Sequence, residues 1–365
     1  MNRISNIQLF LLIISFEVGS TTLFALGIGA EQNAWIVIII AFLIGLGLLW
    51  VYTQFPRYFP HQNFAKILDE ILGKKLSKPL LLLFGLYFYS QASHNFYEFG
   101  VLINMTALPS TPLAVILLLF IFVTIYILIL GFEVFARTAE ILMPYFLLFL
   151  SVLYLVTLFT GEVDINSLQP ILGEGIGLVL KELPTVIAFP FGEMVVFLMF
   201  FHLIQDHKLI RKTAFWGLSV SGLLLLISLL FMIAVLGPEL ASKSEVPFLE
   251  MVLTINIAEI ITNLDSLAVF LMFIGGFYKT ALHLFGFSLA ITWVFNKQNP
   301  KWVIIIFGLL LPFYSLQRFP GLDYQRWLGI ENGIYSILLF SFLPVLLLLI
   351  WVVKEKKKSP PVKGE

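Results

Sequence analysis

The sequence predicts an all-α polytopic membrane protein with about ten transmembrane helices. Three observations carry this. Of the 365 residues, 59% are hydrophobic and only 12% are charged, where a soluble domain carries about 25% charged residues. Apolar runs of about 20 residues, the length that crosses a hydrocarbon core, recur from one end of the chain to the other. The basic residues between those runs alternate in density, as membrane topology demands. A soluble enzyme and a single-pass protein are both excluded. Lys+Arg and Asp+Glu number 22 each, so overall charge does not point to nucleic acid. The lack of cysteine removes disulfides, thiolate metal sites and Cys nucleophiles together.

The spans read near 7–30, 34–56, 79–104, 112–133, 140–160, 183–204, 214–237, 266–295, 302–318 and 333–353. The first has no small-residue cleavage site before Glu31, so it reads as a span and not as a removed signal. With the N-terminus in the cytoplasm, 17 of the 22 Lys and Arg fall in cytoplasmic segments and 4 in outer ones, with Lys279 inside a span. That asymmetry predicts cytoplasmic N- and C-termini and an even number of spans. Residues 57–78 place Phe64, Ile67, Leu68, Ile71 and Leu72 on one helical face, an amphipathic helix lying at the inner surface. Outside, 161–182 and 238–265 are the longest loops, and 248–262 predicts a second surface-lying helix. The tail, 354–365, is basic and predicts disorder. No soluble catalytic domain fits in what remains. No Gly-rich phosphate cradle, G-x-S-x-G or H-E-x-x-H is present, so neither an enzyme nor a cofactor is expected.

Two spans carry backbone-breaking chemistry in corresponding places. In the first, Glu17-Val18-Gly19-Ser20-Thr21-Thr22 interrupts an apolar run. In the sixth, Ala188-Phe189-Pro190-Phe191-Gly192-Glu193 does the same, with Pro removing a donor and Gly permitting unusual dihedrals. Unwound backbone at membrane depth survives only inside protein or beside a wet cavity. Paired breaks of this kind point to a transporter-type binding site; close helix packing at Gly19 and Gly192 with a kink at Pro190 is the simpler reading. The spacing divides the chain into two five-helix halves, 1–160 and 161–353, followed by the tail 354–365. Five is odd, so the second half is inverted relative to the first.

An ionisable residue at a helix centre costs about 2.5–3.5 kcal/mol to insert. The third span carries Ser90, His94 and Glu98 on one stripe, with Gln91 and Tyr97 beside it, and the eighth carries Lys279 and His283 one turn apart. Glu17 and Glu193 flank the two breaks. Lys279 reads either as a structural partner of Glu98, Glu17 or Glu193, or as a fixed cation in place of a coupling Na⁺ or a proton carrier; His283 is expected neutral. His202, Asp206 and His207 supply only two ligands on one helical face, so no metal site is expected there. Glu133 and Arg137 read as an interfacial ion pair.

The length, the number of spans, the first-span run E-V-G-S-T-T-L-F-A-L-G-I-G-A and above all the sixth-span F-P-F-G-E resemble the endospore germination permease family over residues 1–353. Its members are the B-type integral subunits of nutrient germinant receptors, a branch of the amino acid–polyamine–organocation superfamily. The resemblance implies a leucine-transporter-type fold, a five-plus-five inverted repeat with helices 1 and 6 broken. It implies a ligand, a germinant amino acid or sugar, held at Gly19, Ser20, Thr21 and Thr22 and at Phe189, Pro190, Phe191, Gly192 and Glu193. It also implies the inner spore membrane as location, and an A-type membrane subunit and a C-type lipoprotein as partners. Ser20 and Thr21 replace the second glycine of the superfamily's usual G-x-G, which narrows the first pocket. The expected function is a receptor subunit whose ligand shifts a conformational balance. An H⁺- or Na⁺-coupled secondary amino acid transporter is the alternative, and a passive ion or water pathway is a third class.

Overall fold

The computed structural model describes residues 3–173, 175–254, 265–329 and 333–358, and among them it is helical almost throughout. The first span is α1 (Asn6–Val18), opened by a Ser5–Gln8 capping box. It stops at Gly19 and continues as a short 3₁₀ turn, Thr21–Leu23. A second 3₁₀ stretch, Ile28–Asn33, leads into α2 (Ala34–Tyr52). After the short α3 (Phe55–Tyr58) and α4 (Phe64–Leu72) come the third to fifth spans, α5 (Lys74–Thr106), α6 (Leu113–Leu130) and α7 (Phe132–Phe159). The sixth span repeats the plan of the first. Its helix α8 (Gly177–Ala188) gives way to a 3₁₀ segment, Phe191–Met199. Then follow α9 (Ile210–Lys243), α10 (Pro247–Leu253), α11 (Asp265–Val294), α12 (Lys301–Arg318), α13 (Leu322–Trp327) and α14 (Ile334–Lys358).

Nine segments among the described residues are long and apolar enough to span a membrane. The expected third span, α5, falls outside them because Ser90, Gln91, His94, Asn95 and Glu98 dilute its apolar run. Its 33 residues still extend about 50 Å at 1.5 Å per residue, longer than a hydrocarbon core. Several spans start earlier than the hydropathy suggests: α5 at Lys74, not 79, and α7 at Phe132, not 140. A helix needs only its middle to be apolar, so polar first turns escape a hydropathy reading.

The pairings come in matched sets. Helix α1 packs on α9 as α8 packs on α2, and α6 packs on α12. The longest contact joins α5 to α11. In a bilayer close approach, not the hydrophobic effect, holds helices together. Small residues mark these contacts, as where Gly85 faces Ala290. The outer faces present Leu119, Phe122 and Leu148, along with Phe313 and Leu339, to the surroundings, as a lipid-facing surface must.

Two expectations about the peripheral segments change. The amphipathic stretch forms α4 as expected, capped by Asn63 and ended at Gly73 with φ +78°. Its apolar face turns into the protein, however: Phe64 is fully buried and meets Phe84 edge-on at 5.2 Å. The tail does not begin at 354, because α14 runs on to Lys358. Lys354 Nζ there donates to the Ile71 carbonyl at 2.7 Å, satisfying the C-terminal end of α4. Residues 359–365 and 255–264, the latter part of the second expected surface helix, lie outside the described residues.

Candidate functional site

Both expected breaks are present, and their local chemistry explains them. At the first, an added Cβ on Gly19 would lie 2.5 Å from the Gly275 Cα, so this glycine lets α1 touch α11 backbone to backbone. Beyond the turn Phe24 is extended, with φ −110° and ψ 144°, and Gly27 takes φ +68°. At the second, Phe189 is extended and Pro190 supplies no N–H, so the α-helical ladder cannot continue. The segment resumes as 3₁₀. Gly192 is also a close-approach residue, since a Cβ there would meet Ser341 Oγ at 2.5 Å. The two glycines therefore serve packing, while the unwinding lies in the residues that follow Gly19 and in Phe189-Pro190.

Between the breaks lies a buried charge cluster. Lys279, wholly inaccessible, places Nζ 2.7 Å from Glu193 Oε2, with Glu193 2% exposed. That pair meets the ion-pair distance but not hydrogen-bond geometry, and both atoms lack a directional partner. Of the partners considered for Lys279, Glu193 is therefore the one it meets. The ammonium also lies 3.8 Å above the Phe189 ring and 5.3 Å from that of Phe16. Glu17 is fully buried, and among the described residues neither of its carboxylate oxygens has a hydrogen-bond partner. The hydroxyls of Ser20, Thr21 and Thr280 are buried and unpartnered too. Thr22 instead returns its hydroxyl to the Val18 carbonyl at 3.0 Å. His283 Nδ1 faces the Lys279 carbonyl at 3.0 Å, so that nitrogen carries the proton and Nε2 is left buried without a partner.

A cavity of about 310 Å³ opens beside this cluster, at the end of the bundle away from the N-terminus. Phe24, Ala188, Phe189 and Ile337 give it apolar walls, while Gln91, Asn95, Thr185 and Glu193 bring polar atoms to it. Of the sequence-singled residues, Phe189, Glu193, His94 and Glu98 line it. Gly19, Ser20, Thr21, Thr22, Pro190, Phe191, Gly192, Glu17, Lys279 and His283 do not, and stand behind it. The Phe189 ring both lines the cavity and covers Lys279, so the ammonium acts on the cavity through Glu193.

The stripe on α5 is tied by two arginines that the sequence reading did not single out. Arg318 donates to the Ser90 carbonyl at 3.2 Å and to His94 Nε2 at 3.1 Å. Gln325 donates to the His94 carbonyl at 3.2 Å. Arg326 sits 3.4 Å from Glu98, forms a close ion pair with the Glu245 carboxylate, and donates to the Glu245 carbonyl at 2.8 Å. Its guanidinium also lies 5.5 Å from the Phe24 ring. Arg326 thus joins α5, the segment before α10, and the first break across one side of the cavity.

The polar ends of the bundle carry the remaining expected groups. Glu133 and Arg137 pair at 2.6 Å as expected. His207 lies against His61, with ring centroids 4.0 Å apart and the planes tilted by 59°. Partial burial pushes the His207 imidazole below the ordinary histidine range, and the nearby charges of His61 and Arg3 add to this. Among the described residues no three His, Asp or Glu side chains gather as a metal-ligand set.

Comparison with known proteins follows from this architecture. The family model described as spore germination protein matches residues 3–319. The chain belongs to that family. It is 32% identical over 365 residues to spore germination protein KB of Bacillus subtilis (strain 168), covering 100% of this chain and 98% of that one. It is 23% identical to spore germination protein YndE of the same organism, with 96% of each chain covered. Among solved structures, the crystal structure of MhsT in complex with L-phenylalanine superposes with a TM-score of 0.65 at 13% identity, covering 96% of this chain and 99% of that one. Mhp1, a nucleobase-cation-symport-1 family transporter in a closed conformation with bromovinylhydantoin bound, gives 0.63 at 15% identity, with 92% of this chain and 76% of that one covered. Both neighbours have the leucine-transporter fold, so this multi-pass membrane protein shares the transporter architecture with broken helices 1 and 6.

Proposed function

We propose that this chain is an integral membrane subunit of a spore nutrient receptor, binding a small germinant in the central cavity and signalling its presence. The observation that carries the reading is a hollow of about 310 Å³, open at one end and set against two unwound helices, of a size that suits a small molecule. Its lining holds the carboxylates of Glu98, Glu182, Glu193 and Glu245 against the single guanidinium of Arg326. That balance favours a ligand bearing an ammonium group, an amino acid before a sugar. Glu193 and the backbone around Phe189 and Pro190 would meet the ammonium. Peptide groups of Gly19, Ser20, Thr21 and Thr22 would meet the opposite end once the first break shifts toward the cavity. His94 and Glu98 would set the polar wall, and Glu17, Lys279 and His283 would supply the structural charge behind it.

In this reading the two halves, 1–160 and 161–353, interleave, the set α1, α2, α8 and α9 rocks against the set α5, α6, α11 and α12, and ligand binding biases their balance. An A-type membrane subunit and a C-type lipoprotein would read the shift. The N- and C-termini would face the cytoplasm and the protein would sit in the inner spore membrane, with the cavity on the outer side. The likeness to ligand-bound transporters favours a second reading, an H⁺- or Na⁺-coupled amino acid transporter using the same cavity. Reconstitution into liposomes separates them. Saturable amino acid binding without uptake supports the receptor, gradient-driven accumulation supports the transporter, and no binding of any amino acid or sugar germinant refutes both.

A further inference from the structure

A second hollow lies at the opposite end of the bundle, about 530 Å³ in volume. Four basic residues from four separate places line it: Arg3 before α1, Lys66 on α4, Lys78 on α5, and Lys297 after α11. Among the described residues none of the four forms an ion pair with a carboxylate. Among the described residues the one acid in the lining, Asp69, accepts from the Ser77 hydroxyl. Neutral donors complete the wall, namely Asn63, Asn296, Gln298 and Trp293. His202, also in the lining, keeps a buried Nδ1 with no hydrogen-bond partner and meets Trp293 edge-on at 5.5 Å. The first turns of α4 and α5 both contribute, so partial positive charge from their amide ends adds to the side chains.

Cytoplasmic loops of any membrane protein are rich in lysine, but that rule scatters charge over a surface. Here four exposed basic side chains gather around one hollow open to solvent, and Asp69 is the only acid in its described lining. Like charges held together in this way repel unless an anion joins them. We propose that this hollow is an anion site for a phosphate group, either the headgroup of an anionic phospholipid or free phosphate. Basic pockets between helices on the cytoplasmic side are suited to such headgroups, and Trp293 is a side chain at home at headgroup depth.

The position of the hollow gives the anion a consequence. Ile4, next to Arg3, donates to the Leu203 carbonyl at 2.9 Å and accepts from the Gln205 amide at 3.0 Å. This short parallel bridge pins the start of the first span to the end of the sixth. A phosphate shared by Arg3, Lys66, Lys78 and Lys297 ties that pinned pair to α4, α5 and the end of α11. It therefore stabilises the arrangement in which these segments are held together at this end of the bundle. The inference is independent of which nutrient, if any, occupies the central cavity.

The test uses the full chain, purified in detergent, with dioleoyl-phosphatidylglycerol, dioleoyl-phosphatidylcholine and inorganic phosphate as probes. Native mass spectrometry should find one phosphatidylglycerol retained per chain in preference to phosphatidylcholine. Each of Lys66→Gln, Lys78→Gln and Lys297→Gln should lower retention about fivefold, while Lys75→Gln and Lys301→Gln, outside the lining, should not. Preferential stabilisation against heat by inorganic phosphate over chloride at equal ionic strength, lost in the same three variants, without lipid selectivity, assigns the site to free phosphate. If a variant fails to fold, the wild-type lipid and phosphate titrations still decide. Equal retention of both lipids together with no phosphate effect, or equal losses in the control variants, overturns the proposal.

Discussion

Replacing Lys279 with Met tests the centre of the molecule most directly. The ammonium is fully buried, 2.7 Å from a Glu193 oxygen and 3.8 Å from the Phe189 ring centre. Removing it strands the Glu193 carboxylate beside the buried Glu17, and breaking one partner of a buried pair costs about 3–5 kcal/mol. The lost cation–π contact adds about 1–2 kcal/mol in a desolvated site. Lys279→Met should therefore lose about 4–7 kcal/mol. Adding Glu193→Gln to it should restore about half of that loss or more, because the uncompensated charge disappears along with its partner. The assay is reversible unfolding in mixed micelles with increasing dodecyl sulfate, followed by helical circular dichroism, for the wild type, both single variants and the double variant. A Lys279→Met protein within about 1 kcal/mol of wild type, or a double variant no better than Lys279→Met, would refute the view that the pair is held by charge in a dry interior.

Three further outcomes follow from contacts elsewhere. Gly19→Ala should destabilise the folded protein by about 1–3 kcal/mol through overpacking against Gly275 while leaving membrane insertion intact; the same unfolding assay checks it, and a neutral result would show that α1 and α11 have room to part. Arg326→Gln should release Glu98 and Glu245 and loosen that side of the central cavity. Because the chain has no cysteine, a single cysteine introduced at Thr185 in the cavity lining should react several-fold faster with a charged maleimide in the Arg326→Gln background, and an unchanged rate would count against Arg326 as the closing contact. His207 titrates below the ordinary histidine range because burial, His61 and Arg3 disfavour its charged form. The unfolded chain therefore binds the extra proton first, so this contribution is present above about pH 6.5 and is lost as pH falls below it. His207→Gln should flatten stability on the acid side of that value, and an unchanged pH profile would place the dependence elsewhere.

Much of the candidate site was legible in the chain before it was folded. The breaks at Gly19-Ser20 and Phe189-Pro190 show because a missing donor or side chain is a local property that no partner can supply. The charge on Lys279 stands out because it costs energy in any membrane arrangement. Glu193 as its partner was only one of three carboxylates in reach of sequence reasoning, since the choice depends on how the 3₁₀ segment Phe191–Met199 faces α11. Arg318, at the end of the ninth apolar run, and Arg326, beyond it, grip His94 and Glu98. Nothing within their own segments says that α12 and α13 fold back over α5.

The chain by itself determined that this is a membrane-spanning helical bundle with two interrupted spans, because apolar length, proline and glycine act residue by residue against a fixed bilayer thickness. Only the tertiary structure decided what those interruptions enclose. It turned Gly19 and Gly192 toward packing, set Glu193 between Lys279 and a hollow, and gathered Arg3, Lys66, Lys78 and Lys297 from four segments around another. Such assemblies depend on the relative rotation and depth of helices. Those are set by the interdigitation of many side chains at once, and no single stretch of sequence carries them.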